Sequence, residues 1–401
     1  MENFSILDQI IDKQKIEEAT NLDAVEIINN LFNELSERER DIVMRRYGLH
    51  GEGKETLEKI GSVHNLTRER IRQIETSSIS KLRKLDNLNK YLDTLKKVIS
   101  QLLEEHGGIM EKIYLLDILV NYSTNGYKSA ENNQEIHKSY LNFLITKLLF
   151  SEFEEINNLN HLKEIYKLKF KEINHIKEII SELIAKLNES KGVYTTAKIM
   201  ELMKELDNYK KYEHKISSSG SLNIYNVTKS DYFSEDPDLI NDKKALYSIL
   251  RAAKKIGQNK FGFWGLAHSR EVNPKTINDK IYLILNNHGK PMHFSKIADE
   301  INRVEFDNKL ANAATVHNEL ILDKKYVLVG RGLYALKDWG YKKGTVLDVI
   351  EEIFSDENDS LSRDEIIEKV LEKRMVKKAT IVLALMNKDK FLKKGSKYSL
   401  V

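Results

Sequence analysis

"TLEKIGSVHNLTRERIRQIETSSISKLRKL", residues 56–85, decides how this chain is read. Thr56 is an N-cap residue, and Leu57, Ile60 and Val63 give a short helix one apolar face. His64 and Asn65 supply a turn. Thr67 caps a second helix, with Arg70 where a complete capping box has Glu or Gln. Two helices joined this tightly predict a helix-turn-helix. At ~100° per residue, Ile71, Ile74, Leu82 and Leu85 share a buried sector of ~80°. Arg68, Glu69, Arg72, Gln73 and Thr76 fill a contiguous sector of ~140° facing away.

Those outward side chains are the types that read base edges. Arg pairs bidentately with guanine, Gln with adenine, and Glu accepts from cytosine. They sit at the helix N-terminus, the end that meets bases in such motifs. Between 65 and 85, six cations (Arg68, Arg70, Arg72, Lys81, Arg83, Lys84) face only Glu69 and Glu75, a local net charge of +4. A solvated helix face carrying Arg and Glu fits the same periodicity.

The preceding stretch, "GLHGEGKET" at 48–56, spells most of a phosphate-cradling P-loop. Lys54 is followed by Glu55 rather than the Ser or Thr that binds Mg²⁺. The residues before it, "LSERERDIVMRRYGL", read as amphipathic helix and not as the buried strand a P-loop follows. The glycines are therefore read as a helix end and a link to the next helix.

Composition bounds the rest. A chain of 401 residues predicts several domains. With 31% charged and 41% hydrophobic residues and a net charge of +3, nucleic-acid contact requires a local basic patch. The absence of cysteine excludes disulfides, thiol catalysis and Cys-based zinc sites, and fits a cytoplasmic setting. The N-terminus has no signal-peptide layout. The longest apolar run, "YLNFLITKLLF" at 140–150, is interrupted by Lys147 and falls short of the ~20 residues of a membrane span.

"LSERERDIVMRRYGL", "TLEKIG", "TRERIRQIE" and "KLRKL" together resemble region 4 of bacterial sigma factors of the primary class, from about Asp23 to Leu85. The resemblance implies a helix-turn-helix docked in the major groove of a −35 promoter element. It assigns base reading to Arg68, Glu69, Arg72 and Gln73 at the helix that Thr67 starts, and phosphate positioning to Arg45, Thr56 and Leu57. It also implies that the first two helices, about 24–33 and 37–46, grip the flap tip of the RNA polymerase β subunit. Ser77 and Ser80 depart from the family pattern, where Lys or Arg is common. Nothing in the chain resembles the family's promoter-melting region 2.

The C-terminal part repeats itself. In residues 281–336 and 346–400, Ala314 to Gly330 align without a gap on Ala379 to Gly395. One extra residue then follows in the first copy, assigned to its hairpin turn, before Tyr334 meets Tyr398. Each copy reads as three helices and a β-hairpin. Two earlier stretches follow the pattern less closely. The expected fold class is thus mainly α, a helix-turn-helix domain followed by winged-helix-like units. The expected divisions are an extension at 1–22, then 23–90, 91–172, 173–270 with a polar insertion at 217–238, 274–341 and 342–401. The fifth of these resembles the HARE helix-turn-helix domain, at "FSKIA" and "GLYAL". That domain occurs in the δ subunit of bacterial RNA polymerase, in chromatin proteins and fused to restriction enzymes.

Smaller features leave alternatives. Phe261, Phe263 and Trp264 read either as base-stacking groups or as hairpin aromatics packed on a helix. Lys324, Lys325, Arg331, Lys342 and Lys343 flank the third wing as phosphate contacts or as solvated charges. His288 and His293 have no cluster of ligands beside them, and "EEIFSDENDS" at 351–360 lacks calcium-loop spacing. No catalytic constellation is read, so the expectation is a non-enzyme without cofactor or metal. Its expected partners are double-stranded DNA and RNA polymerase, with no membrane. The alternative is a δ-like polymerase adaptor that reads no DNA sequence. A third reading is the DNA-binding subunit of a restriction or defence system.

Overall fold

The computed structural model describes residues 24–123, 131–157, 160–216, 222, 224, 232–341, 344–357, 360–374 and 376–401. The 1–22 extension, most of the 217–238 insertion, Lys342, Lys343, Asn358 and Asp359 lie outside the described residues. The chain divides into two units, Met1–Ala267 and His268–Val401. Helices dominate both, with small antiparallel sheets between them.

The first unit opens on α1 (Ala24–Phe32), and three polar caps set the helices that follow. Ser36 opens α2 (Glu37–Tyr47), accepting from the Glu39 amide while the Glu39 carboxylate takes the Ser36 amide at 2.9 Å. Thr56 opens α3 (Leu57–His64), and Thr67 opens α4 (Arg68–Arg83), each accepting from the amide three residues on. Asn65, in the left-handed conformation, ends α3. Ile42, Ile60 and Ile71 are fully buried where α2, α3 and α4 meet, with Leu57, Leu66 and Ile74 packed around them. At Gly61 a Cβ would lie 2.6 Å from the Leu66 carbonyl, so α3 approaches its own turn too closely for any side chain there. That approach turns Ile60 and Gly61 inward and leaves Val63, expected on the buried face, 50% exposed.

The loop 48–56 joins two helices and follows no strand, which disposes of the P-loop reading. Gly48 caps α2 at φ +68°, and a Cβ there would meet the Gly53 carbonyl carbon at 2.8 Å.

The same plan recurs downstream. Helix α5 (Leu88–Glu105) leads through strand β1 (Ile109–Glu111) into α6 (Lys112–Ser123) and α7 (Glu131–Phe143), which ends in a π-helical turn at Leu144–Leu148. A hairpin, β2 (Phe153–Ile156) and β3 (Ile165–Leu168), completes a sheet of order β1-β3-β2. Next come α8 (Asn174–Ser190), α9 (Thr196–Glu205) and α10 (Asp207–Ile216), then α11 (Pro237–Asp242) and α12 (Lys244–Ala252). They end in the hairpin β4 (Ile256–Gln258) and β5 (Trp264–Leu266), with a single bridge from Tyr194 to Trp264 in place of the first strand. One apolar core runs through this unit from Ala24 to Leu266. Inside it Lys244 and Glu105 form a buried pair at 2.5 Å, and Glu105 also accepts from the Leu222 amide.

The second unit holds the two repeats. The first has α13 (Ile277–His288), β6 (Met292–His293), α14 (Phe294–Val304) and α15 (Ala313–Leu322), then β7 (Tyr326–Gly330) and β8 (Leu333–Leu336). The second has α16 (Val346–Glu357), β9 (Leu361–Ser362), α17 (Arg363–Lys373) and α18 (Lys378–Leu385), then β10 (Phe391–Lys394) and β11 (Lys397–Leu400). Sheet orders are β6-β8-β7 and β9-β11-β10. Val316, Leu320 and Tyr326 are buried, as are their counterparts Ile381, Leu385 and Phe391. The extra residue of the first copy is not in the turn. Leu328 pairs with Tyr334 and Gly330 with Leu333, so Val329 forms a bulge. Val329 is fully buried.

Candidate nucleic-acid interface

Helix α4 is anchored by its inner face and leaves its outer face bare. Ile71 and Leu82 are fully buried, whereas Thr67, Arg68, Glu69, Arg72, Gln73 and Thr76 are all exposed. Beside them the helix surface holds an open depression of about 640 Å³ lined by Arg72, Gln73, Thr76, Ser77, Ser80 and Lys81. The two serines that depart from the family pattern lie in it.

The exposed polar groups pair with one another. Arg72 grips Glu69 with both arms of its guanidinium, at 2.7 and 2.9 Å. Arg70 donates to Gln73 at 3.2 Å, and Arg68 reaches Glu58 on α3 at 3.1 Å. The Arg72 bond holds the Glu69 carboxyl below the usual carboxylate range. Side chains in these two ion pairs are 56–70% exposed, so solvent screens them and they exchange readily for other partners. Glu69 therefore orients Arg72 without committing it.

Arg45 lies deeper, with its side chain 27% exposed, 2.8 Å from Asp41 and 3.6 Å from Glu55. His64 joins the same Asp41 at 2.8 Å. Burial works to raise the Asp41 carboxyl, but the bonds from Arg45 and His64 outweigh it and hold it low. Thr56 is exposed at its cap, while Leu57 packs into the small isoleucine core. The structure thus brings Arg68, Glu69, Arg72, Gln73 and Thr67 together on one face. It places Thr56 and Leu57 on the neighbouring helix start and Arg45 in the network beneath.

Sequence reasoning missed the groups that hold α4 in place. The Tyr47 hydroxyl donates to Glu75 at 2.6 Å, and Arg46 lies 3.6 Å from the same carboxylate. Burial and the Glu75 bond push the Tyr47 hydroxyl well up. His50, Glu52 and Glu55 also converge, with one ligand-type atom each within 4.8 Å. Lys59, 2.8 Å from Glu55, and Arg45 already balance that charge. Of the aromatic candidates, Trp264 and Phe261 are buried, and the Trp264 indole donates to Thr196 at 2.9 Å, so both pack inward instead of stacking on bases.

Residues 31–84 match the family model for sigma-70, region 4. The matched stretch contains the whole of α2, α3 and α4, so the match and the helix-turn-helix coincide. The chain is 52% identical to RNA polymerase sigma factor SigA of Microcystis aeruginosa over 58 residues, 14% of each chain. It is 39% identical to RNA polymerase sigma factor RpoS of Coxiella burnetii over 82 residues, 20% of this chain and 23% of that one. Against RNA polymerase sigma factor RpoD of Helicobacter pylori it is 49% identical over 57 residues, 8% of that protein. The chain therefore spans less than a quarter of the curated relatives it matches. No solved structure matches it.

One surface of the sigma-like segment is already occupied. The apolar residues Ala24, Ile28, Leu31 and Phe32 of helix α1 (Ala24–Phe32) are buried in the common core. Phe143, at the end of α7, stands edge-on to Phe32 at 5.9 Å and to Tyr47 at 5.0 Å. Arg83 of α4 donates to the Lys147 carbonyl at 2.7 Å and lies 3.8 Å over the Phe150 ring. The first of the two helices that the resemblance assigned to the polymerase flap thus has its apolar side buried within the unit, with α7 packed beside it, while Ile42 of the second lies in the small isoleucine core. Among the described residues no helix is long and apolar enough to cross a membrane.

Proposed function

We propose that this chain is a sequence-specific DNA-binding transcription protein that uses residues 31–84 to dock a −35-like promoter element. Arg68, Glu69, Arg72 and Gln73 read base edges. Thr67 sets the helix start, and Arg45, Thr56 and Leu57 position the sugar-phosphate backbone. The observation that carries this reading is the contrast between the two sides of the sigma-like segment: the base-reading side is open and the apolar side of α1 is filled from within the chain. The role is one of binding and not of catalysis.

A δ-like adaptor bound to RNA polymerase is the second reading. It draws on the apolar outer end of α15, where Ile321 is 59% and Leu322 is 77% exposed, a surface suited to protein rather than phosphate.

Fluorescence anisotropy on a −35-like duplex and a scrambled one, at several salt concentrations, separates them. A preference for the −35-like duplex that disappears in Arg68→Ala/Arg72→Ala supports base reading. Equal, steeply salt-dependent binding to both duplexes refutes it and favours the adaptor.

A further inference from the structure

The two C-terminal repeats share a fold and a core but not a surface. From 312 to 333 the first repeat carries Lys324, Lys325 and Arg331 against Glu319 and Asp323. The matching stretch of the second, 377–397, carries seven lysines against Asp389 alone. The difference centres on the hairpin. Leu328 faces Tyr334 across the first hairpin, and Lys393 faces Tyr398 across the second. Gly330 faces Leu333 in the first, and Lys394 faces Lys397 in the second.

That last pair is the informative one. Like charges directly opposite each other on antiparallel strands destabilise a hairpin. Lys393, Lys394 and Lys397 are all exposed, and among the described residues none has a carboxylate within ion-pair distance. Lys390, nearer the base of the hairpin, is by contrast paired with Glu351 at 2.5 Å. Acids are plentiful in this repeat, ten between 344 and 374; Lys397 acts on Glu365 at longer range, and among the described residues no ion pair forms at Lys393 or Lys394. A cross-strand lysine pair with no carboxylate in ion-pair contact is a site for an external anion.

We propose that the β10–β11 hairpin is a second DNA contact, which binds the sugar-phosphate backbone of duplex DNA without reading sequence. A two-stranded ribbon is of a size that the major groove admits, and three lysines at its tip match a run of phosphates. This contact is independent of base reading by α4.

The test uses the full chain with Lys393→Gln, Lys394→Gln and Lys397→Gln combined, beside the corresponding triple Arg variant. Anisotropy is measured on −35-like and scrambled duplexes across a salt series. Each phosphate contact contributes about 0.9 to the slope of log affinity against log salt, so the Gln variant's slope is shallower by about 2–3. Its affinity for both duplexes falls in parallel, the ratio between them is unchanged, and the Arg variant behaves as wild type. An unaltered slope overturns the proposal. Loss of binding to an acidic polypeptide such as polyglutamate, with the DNA slope intact, overturns it in favour of a protein partner. If wild type shows no preference between duplexes while the slope still drops, the base-reading proposal fails and this one stands.

Discussion

Replacing Arg72 with alanine tests base reading at a single side chain. In the free protein Arg72 is held by Glu69 at 2.7 and 2.9 Å, with both side chains more than half exposed. Solvent screens such a pair, and it is readily given up. A bidentate contact to guanine contributes about 1–3 kcal/mol of discrimination. Docking exchanges the first for the second, so the loss on the cognate base pair is at most about 1–3 kcal/mol, or roughly 5- to 160-fold in affinity. Because Arg72 touches no core residue, stability changes by less than about 0.5 kcal/mol. The assay is anisotropy at fixed salt on a panel of duplexes, each altered at one base pair of the −35-like element. Arg72→Ala is expected to erase the preference at one position and leave the others intact. Glu69→Gln removes an anion and frees the guanidinium, so binding to scrambled DNA is expected to tighten severalfold while cognate preference narrows. Equal losses for Arg72→Ala on every duplex in the panel would show that Arg72 is a phosphate contact and that the exchange argument is wrong.

Three further outcomes are expected. Gly61→Ala should destabilise the first unit by about 1–2 kcal/mol in urea denaturation despite alanine's better helix propensity, because its Cβ would meet a backbone carbonyl at 2.6 Å; a stabilised variant would refute the close approach. His106 is fully buried, its Nδ1 2.6 Å from the Leu102 carbonyl, and burial lowers it from 6.5 to about 4. Its contribution is therefore complete above the ordinary histidine range and is lost as pH falls towards 4, by about 3 kcal/mol; urea midpoints should decline less steeply over that window in His106→Gln than in wild type. Phe143→Ala empties the contact with Phe32 and Tyr47 and should cost about 3–5 kcal/mol, and unchanged melting would mean that α7 does not brace the sigma-like segment.

What the sequence revealed follows from the range of the interactions. The helix-turn-helix was legible because Thr56, Thr67 and the isoleucine spacing act within a few residues of each other. The C-terminal repeats were legible because two copies of one pattern check each other. Val63 was misplaced because the inward face of α3 depends on how closely Gly61 meets its own turn. The bulge at Val329 was invisible because an alignment shows an extra residue without showing which strand absorbs it. Least legible was the cover over α1. "YLNFLITKLLF" reads as an apolar run, and nothing local says that Phe143 ends between Phe32 and Tyr47. At the candidate site the side-chain types were readable, but the pairings were not. Arg68 with Glu58 is a contact between helices, and Arg72 with Glu69 depends on rotamers.

The continuous core from Ala24 to Leu266 bears on how such a protein is retargeted. A helix-turn-helix on a tether can be lifted out and grafted as a cassette. Here a cut near residue 90 would strip α1 and Tyr47 of the aromatic ring that covers them. Exchange of specificity is therefore confined to the outer face of α4, where Arg68, Glu69, Arg72 and Gln73 are rewritable at little folding cost because none of them is part of the scaffold.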